Sequence, residues 1–355
     1  MLFVPVSGPY GMGEYARSLA IARAASLRWP EADIHFVLSR QAPYAASVPF
    51  PATLLASSPT FHSAAIDALI DERRPHVVIF DNAGRTAQLR AASRAGARVV
   101  YISARSRQRR KAFRWRWMRL IDEHWIAYPE FIAGRPDVLE RFKLKLLQRP
   151  VLRYLDVIMS PAAAAQRSPV SASVGIPNAD VLIVPGGGTG HPRARDASGT
   201  FLAAANALAM GGAATLFVGP AVSPSAVSPS AVSPPVSPLL RCFDSLPQSE
   251  LADLMRAARI VIANGGSTLL QAIACGAACV AVPIAHDQHE RIKRCVDAGV
   301  AVAAKLDAAA MTQTAGSLLR DEAHRAALAQ RASGLGLADG LEIALEALSR
   351  LLESK

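Results

Sequence analysis

The chain has 355 residues, 51% of them hydrophobic, 19% charged and 6% aromatic. That much apolar content excludes a disordered chain, and at about 150 residues per domain the length predicts two globular domains. The net charge is +11, but Arg105, Arg107, Arg109, Arg110, Lys111, Arg114, Arg116 and Arg119 stand in one acid-free segment; removing those eight leaves +3.

Short apolar runs alternate with longer amphipathic ones, the pattern of an α/β protein. Residues 2–6 read as a first strand. With no basic leader before it, a strand is expected there and not a secretion signal. A Gly-rich turn follows, Ser7-Gly8-Pro9-Tyr10-Gly11-Met12-Gly13-Glu14. Residues 14–28 are helical, with Tyr15, Leu19, Ala22 and Ala25 on one period. A strand is expected at 34–38, a helix at 61–73, and a strand at 77–80 ending in Asp81-Asn82. A helix at 88–95 and a strand at 98–102 come next. In the basic segment, Phe113, Trp117 and Leu120 share one helical face flanked by Arg114 and Arg119. His124 is placed on a helix end, and residues 156–159 are expected to close the first half as its last strand.

The stretch 161–177, rich in Ala, Ser and Pro, reads as a linker. Beyond it come a strand at 181–184, the loop Pro185-Gly186-Gly187-Gly188-Thr189-Gly190-His191, a helix at 201–210 and a strand at 214–218. A tandem Ala-Val-Ser-Pro-Ser repeat over 221–235 then reads as a solvated loop. Residues 260–285 carry no charge, yet Asn264-Gly265-Gly266-Ser267-Thr268, Cys275-Gly276 and Pro283 cut them into strand, helix and strand sizes. A buried α/β segment is expected there and not a membrane span. Residues from 289 onward read as mostly helical. Cys242, Cys275, Cys279 and Cys295 lack zinc spacing and are too few for a disulfide framework, so a reducing cytosol is the expected compartment.

Three loops could carry chemistry. In the first, glycines bring backbone amides towards a ligand and Glu14 sits at the lip as a candidate general base. The second strand ends in Ser39-Arg40, without the acid a dinucleotide-binding fold places there, and no Gly-Lys-Ser/Thr follows. Asp81 closes a strand as an alternative base or an acceptor contact. The second loop, with Gly187, Gly188 and Thr189, also suits close backbone approach. The third is the most informative: a strand runs into Gly265-Gly266, and Ser267 and Thr268 start a helix whose free N–H groups can hold a phosphate. Gln271 lies one turn in, within reach of a ribose, and the next strand ends in His286, Asp287 and Gln288.

These residues, with Phe243-Asp244-Ser245-Leu246-Pro247 and Glu250, Leu251 and Met255 before them, resemble the C-terminal domain of GT-B glycosyltransferases of the family 28 type, which includes the lipid II N-acetylglucosaminyltransferase. The resemblance covers about residues 180–300. The N-terminal half matches only in its first loop and strand order. It implies two doubly wound Rossmann-like domains facing a central cleft: an acceptor-side domain at 1–165, a nucleotide-sugar domain at 166–340 with a Ser/Pro-rich loop at 220–238, and a C-terminal helix at 341–355. Gly266, Ser267 and Thr268 would hold the donor diphosphate, with Gly265 in the same nucleotide-sugar site, and Gln271 stands where the family has a ribose-binding Glu. Phe243 and Leu246 would contact the base, and His286, Asp287 and Gln288 the leaving group and donor sugar. Gly187, Gly188 and Thr189 join that donor set.

Glu14 falls at the family's base position, with Gly11, Met12 and Gly13 as the acceptor-side loop. Arg109, Arg110, Arg114 and Trp117 would form an anionic-membrane or anion patch, suited to a lipid-linked or cell-envelope acceptor. The expected partners are thus a nucleotide-diphospho-sugar and a glycan or lipid-linked acceptor, with no nucleic acid. No cofactor and no metal are expected, since the chain has no Asp-x-Asp. The expected activity is an inverting glycosyltransferase in the cytoplasm or peripheral on the membrane's inner face. The alternatives are a nucleotide-sugar hydrolase or epimerase of the same fold and a non-catalytic, membrane-docked binder.

Overall fold

The computed structural model describes residues 1–9, 12–159, 179–186, 197–219 and 237–353. Gly11, the linker, Gly187, Gly188, Thr189, His191 and the Ala-Val-Ser-Pro-Ser repeat lie outside the described residues. The chain divides into two compact units, Met1–Ile158 joined by Ala338–Lys355, and Met159–Leu337.

The first unit contains β1 (Leu2–Pro5), α1 (Gly13–Arg28), β2 (His35–Ser39), β3 (Ala52–Leu55), α2 (Ser63–Arg73), β4 (Val77–Asp81), α3 (Thr86–Arg94), β5 (Arg98–Ser103), α4 (Ser106–Ala112), α5 (Trp115–Met118), β6 (Glu123–Ile126), α6 (Glu130–Ala133), α7 (Val138–Leu147) and β7 (Val151–Tyr154). They form a seven-stranded, all-parallel sheet in the order β3-β2-β1-β4-β5-β6-β7. β1, β2 and β4 are buried along their whole length, as strands covered on both faces must be. One face of the sheet packs Phe3, Phe36 and Ile79 under α1, with Phe3 stacked on Phe36 at 5.1 Å. The other packs Val4, Phe80 and Tyr101 with Ile66 of α2 and Leu89 of α3.

The second unit contains β8 (Val181–Val184), α8 (Ala197–Met210), β9 (Thr215–Val218), β10 (Leu240–Phe243), α9 (Gln248–Ala257), β11 (Ile260–Asn264), α10 (Ser267–Ala274), β12 (Cys279–Val282), α11 (His286–Asp297), β13 (Ala301–Ala303), α12 (Ala308–Arg320) and α13 (Glu322–Gly334). Its sheet has six parallel strands in the order β10-β9-β8-β11-β12-β13. The last helix, α14 (Gly340–Glu353), belongs to the first unit, where Leu341, Ala344, Ala347 and Leu348 join the core of Phe3 and Phe36.

Several expectations are corrected. The first sheet ends in β7, not at 156–159, where Val157 makes only a single bridge to Asp339. His124 lies on a strand, β6. The basic segment is two short helices broken at Phe113-Arg114, not one amphipathic helix. Residues 260–285 fold as strand, helix and strand, and no helix among the described residues is long and apolar enough to cross a membrane.

Candidate functional site

In each sheet the strand order reverses beside its first strand, between β1 and β4 and between β8 and β11. Connections leave such a pair towards opposite faces, so a crevice opens at the carboxyl ends, where open α/β sheets bind ligands.

At the β8/β11 crossover the chain turns through Asn264-Gly265-Gly266. Asn264 is 4% exposed and ties the two strand ends together. Its Nδ2 donates to the Pro185 carbonyl, and its Oδ1 accepts from the Gly266 N–H at 2.8 Å. The glycines are steric requirements. A Cβ on Gly265 would sit 2.7 Å from Ile292 Cδ1, and one on Gly266 would sit 2.7 Å from Asn264 Oδ1.

The Gly266 amide is therefore spent on Asn264, and that of Gly265 on the Val282 carbonyl at 3.2 Å. No side chain of the described residues caps α10. Its first-turn amides, at Ser267 and Thr268, have no hydrogen-bond partner among the described residues and stand at the positive end of the helix dipole. Gly265 and Gly266 shape the turn, and Ser267, exposed, and Thr268, half-buried, begin the helix.

Gln271 follows one turn later, half-buried. Asp287 is exposed in the first turn of α11, within 3.4 Å of Arg291, which is itself 7% exposed and donates to the Gly265 carbonyl. Gln288 points inward: its Oε1 accepts from Ile284 N at 2.9 Å and closes the β12–α11 turn. His286 is exposed beside it, and Phe243 and Leu246 are half-buried around the end of β10. Arg291 was not anticipated. Its spacing of four from Asp287 was the available signal.

At the β1/β4 crossover the sequence pair Glu14 and Asp81 comes together, in different roles. Asp81 is 0% exposed and gripped by Arg17, whose Nη2 donates to Oδ1 at 2.6 Å and Nε to Oδ2 at 2.9 Å; Ser18 Oγ adds a third bond at 3.3 Å. Burial pushes its carboxyl up to about 6, with Arg17 opposing. A carboxylate so enclosed holds α1 to β4 and has no open face for a substrate. Glu14, in the first turn of α1, keeps 15% of its side chain exposed. Asn82 Nδ2 donates to Glu14 Oε1 at 2.9 Å, while Asn82 Oδ1 accepts from Ala104 N at 2.8 Å. Asn82 adopts φ +52°, a left-handed conformation that Asn tolerates better than most residues. Arg105 lies 3.7 Å from the same Glu14 oxygen. Met12 and Gly13 are exposed ahead of it. Asn82 was visible in sequence beside Asp81 at the strand end, but Arg17 was not anticipated.

The expected basic patch divides. Trp117 is 0% exposed in the core and donates from Nε1 to Thr86 Oγ1 at 2.9 Å, so it meets no outside surface. Arg109 turns inward to the Ala133 and Gly134 carbonyls, both at 2.7 Å, and to Glu140 at 2.9 Å. Arg110 and Arg114 are exposed. Lys111 lies 4.2 Å from the Trp117 ring centroid, and burial with Arg85 and Arg114 nearby pushes its amine down to about 8. His124 is fully buried against Ser103 Oγ at 2.8 Å and is pushed down to about 3, which makes it a neutral core residue. A cavity of about 400 Å³ lined by Trp29, His35, Arg73 and His76 lies at the opposite, amino-terminal edge of the first sheet.

No protein-family model and no curated protein matches the chain. Solved structures do. The spinosyn forosaminyltransferase SpnP superposes with a TM-score of 0.65 over 99% of both chains at 13% identity. MurG of Acinetobacter baumannii gives 0.62 over 98% of this chain and 99% of its own, also at 13% identity. The spinosyn rhamnosyltransferase SpnG complexed with thymidine diphosphate gives 0.59 over 98% and 100%, at 14%. The chain has the two-domain α/β architecture of the GT-B fold.

Proposed function

We propose that the chain is a glycosyltransferase that moves a sugar from a nucleotide-diphospho-sugar to an acceptor hydroxyl, with inversion and without a metal ion. The observation that carries this reading is the start of α10 at the β8/β11 crossover, uncapped among the described residues and held by Asn264. Amides and a helix dipole fixed before the ligand arrives stabilise charge that develops on a leaving diphosphate, the service a metal gives elsewhere. Asp287 would meet donor-sugar hydroxyls and Gln271 the ribose. The likeness to fold neighbours named as sugar transferases, one of them holding thymidine diphosphate, supports a nucleotide-linked donor.

In the first unit, Glu14 would take the proton of the acceptor hydroxyl. Asn82 orients that carboxylate: with its Oδ1 held by the Ala104 N–H, its Nδ2 is aimed at one Glu14 oxygen and leaves the other for the acceptor. Asp81 is proposed as an anchor and not as a base. The exposed Arg110 and Arg114 support an anionic acceptor, such as a lipid-linked diphospho-sugar.

The test is a thermal-shift screen against nucleotide diphosphates and their sugars, followed by turnover with the donor that binds. Glu14→Gln should lower turnover about 10²- to 10⁴-fold while donor affinity stays at the wild-type value. If no nucleotide diphosphate raises the melting temperature, the reading fails. Full-rate donor consumption without acceptor would make the protein a hydrolase or epimerase.

A further inference from the structure

Helix α7 is formed for local reasons. Asp137 caps it by accepting from Glu140 N at 2.7 Å, and Glu140 reaches back to Asp137 N at 3.2 Å, a reciprocal pair that fixes the helix start. Not one of its residues is buried. Its inner edge is tied to the domain by polar contacts, Glu140 with Arg109 at 2.9 Å and Lys143 Nζ with the Phe113 carbonyl at 3.2 Å.

The outer face is apolar. Val138 is 75% exposed, Leu139 57%, Phe142 56% and Leu146 60%. At 100° per residue these four fall within one arc of about 100°. Arg141 and Lys145 border the arc on one side and Lys143 on the other. Lys143 also lies 5.8 Å from the ring centroid of Trp115, which is 40% exposed on α5, beside exposed Arg114 and Arg116. Among the described residues no other helix leaves as many large apolar side chains exposed.

We infer that α7, with Trp115 beside it, is the surface by which this protein docks on an anionic membrane. The arc is too narrow and its helix too short to cross a bilayer, but an apolar strip fringed by Lys and Arg suits a helix lying in the headgroup plane. The long cationic side chains reach lipid phosphates while their stems extend the apolar strip. A second copy of the chain is the less fitting occupant, because two such faces would bring like charges together. The surface replaces the Trp117 face expected from sequence. It bears on where a lipid-linked acceptor would be met, but its test needs neither donor nor acceptor and so stands or falls apart from the sugar-transfer reading.

The experiment is co-sedimentation of the full chain with vesicles of phosphatidylcholine, with and without phosphatidylglycerol. Wild type should bind the phosphatidylglycerol vesicles and release them as salt rises. The Leu139→Glu, Phe142→Glu pair should weaken binding about tenfold or more, with an unchanged melting temperature. Arg141→Gln with Lys145→Gln should flatten the salt dependence. As a readout independent of folding defects, brominated lipid should quench tryptophan fluorescence in wild type, and the quenching should fall in Trp115→Phe. Wild type left in the supernatant, or the acidic pair binding like wild type, overturns the proposal. So does a wild-type dimer that the pair converts to monomer without any vesicle binding.

Discussion

Replacing Asn264 by Ala tests the donor turn at its least replaceable point. The side chain makes two bonds, to the Gly266 N–H at 2.8 Å and to the Pro185 carbonyl, from a position 4% exposed. Ala leaves both backbone groups without their partner. At about 1–3 kcal/mol for each unsatisfied buried group, with some relief from entering water, the second unit should lose about 2–4 kcal/mol. With a urea slope of about 2 kcal/mol/M, its midpoint should fall by about 1–2 M. Binding should suffer too, because the amides of Ser267 and Thr268 are aimed by the turn that Asn264 closes. Calorimetric titration with the nucleotide diphosphate that gives the largest thermal shift should show affinity lowered about tenfold, or 1.4 kcal/mol. Asn264→Asp is the internal control. It keeps an acceptor for Gly266 but sets an oxygen against the Pro185 carbonyl and a charge beside the diphosphate, so it should bind more weakly still. If Asn264→Ala keeps both the wild-type urea midpoint and the wild-type affinity, the turn is not organised as argued.

Two further outcomes concern the first unit. Arg17→Met strands the Asp81 carboxylate, 0% exposed, and should cost about 3–5 kcal/mol by urea denaturation. Adding Asp81→Asn should recover much of that loss, because the unpaired buried charge goes with it; a double variant no more stable than Arg17→Met would refute the pairing argument. His124, held down to about 3 against an ordinary 6.5, stays neutral when folded and takes up a proton when unfolded. Its contribution is therefore complete above pH 6.5 and is lost as pH falls towards 3. The loss should reach about 2 kcal/mol between pH 6.5 and 5, and His124→Gln should show a correspondingly shallower acid limb in a stability-against-pH series.

Much of the fold was legible because both sheets are buried on both faces. A strand such as Val181–Val184 is then an unbroken apolar run, and the glycines after Val6 and Asn264 mark where each first crossover must turn. The misses have a common origin in polar residues that are buried with partners. Glu-His-Trp-Ile at 123–126 does not read as a strand. It becomes one because Arg153 donates twice to Glu123, at 2.6 and 2.9 Å, and His124 pairs with Ser103. The site shows the same limit. Glu14, Ser267 and Thr268 were visible as residue types at the right turns, but the inward roles of Asp81, Gln288 and Trp117 depend on Arg17, Ile284 N and Thr86, which lie 64, 4 and 31 positions away in sequence. A sequence pattern records which side chains can donate or accept, not which of them a neighbour has already engaged. Helix α7 was missed for a simpler reason: its periodicity points away from any core.

The return of α14 to the first unit sets an order of assembly on the ribosome. Leu341, Ala344 and Leu348 complete a core begun by Phe3, Ile21 and Phe36, so strands translated early must wait for a helix translated much later. The second unit, continuous from Met159 to Leu337, can finish its own sheet while the first still has an open flank. During synthesis that flank is the apolar surface most in need of a chaperone.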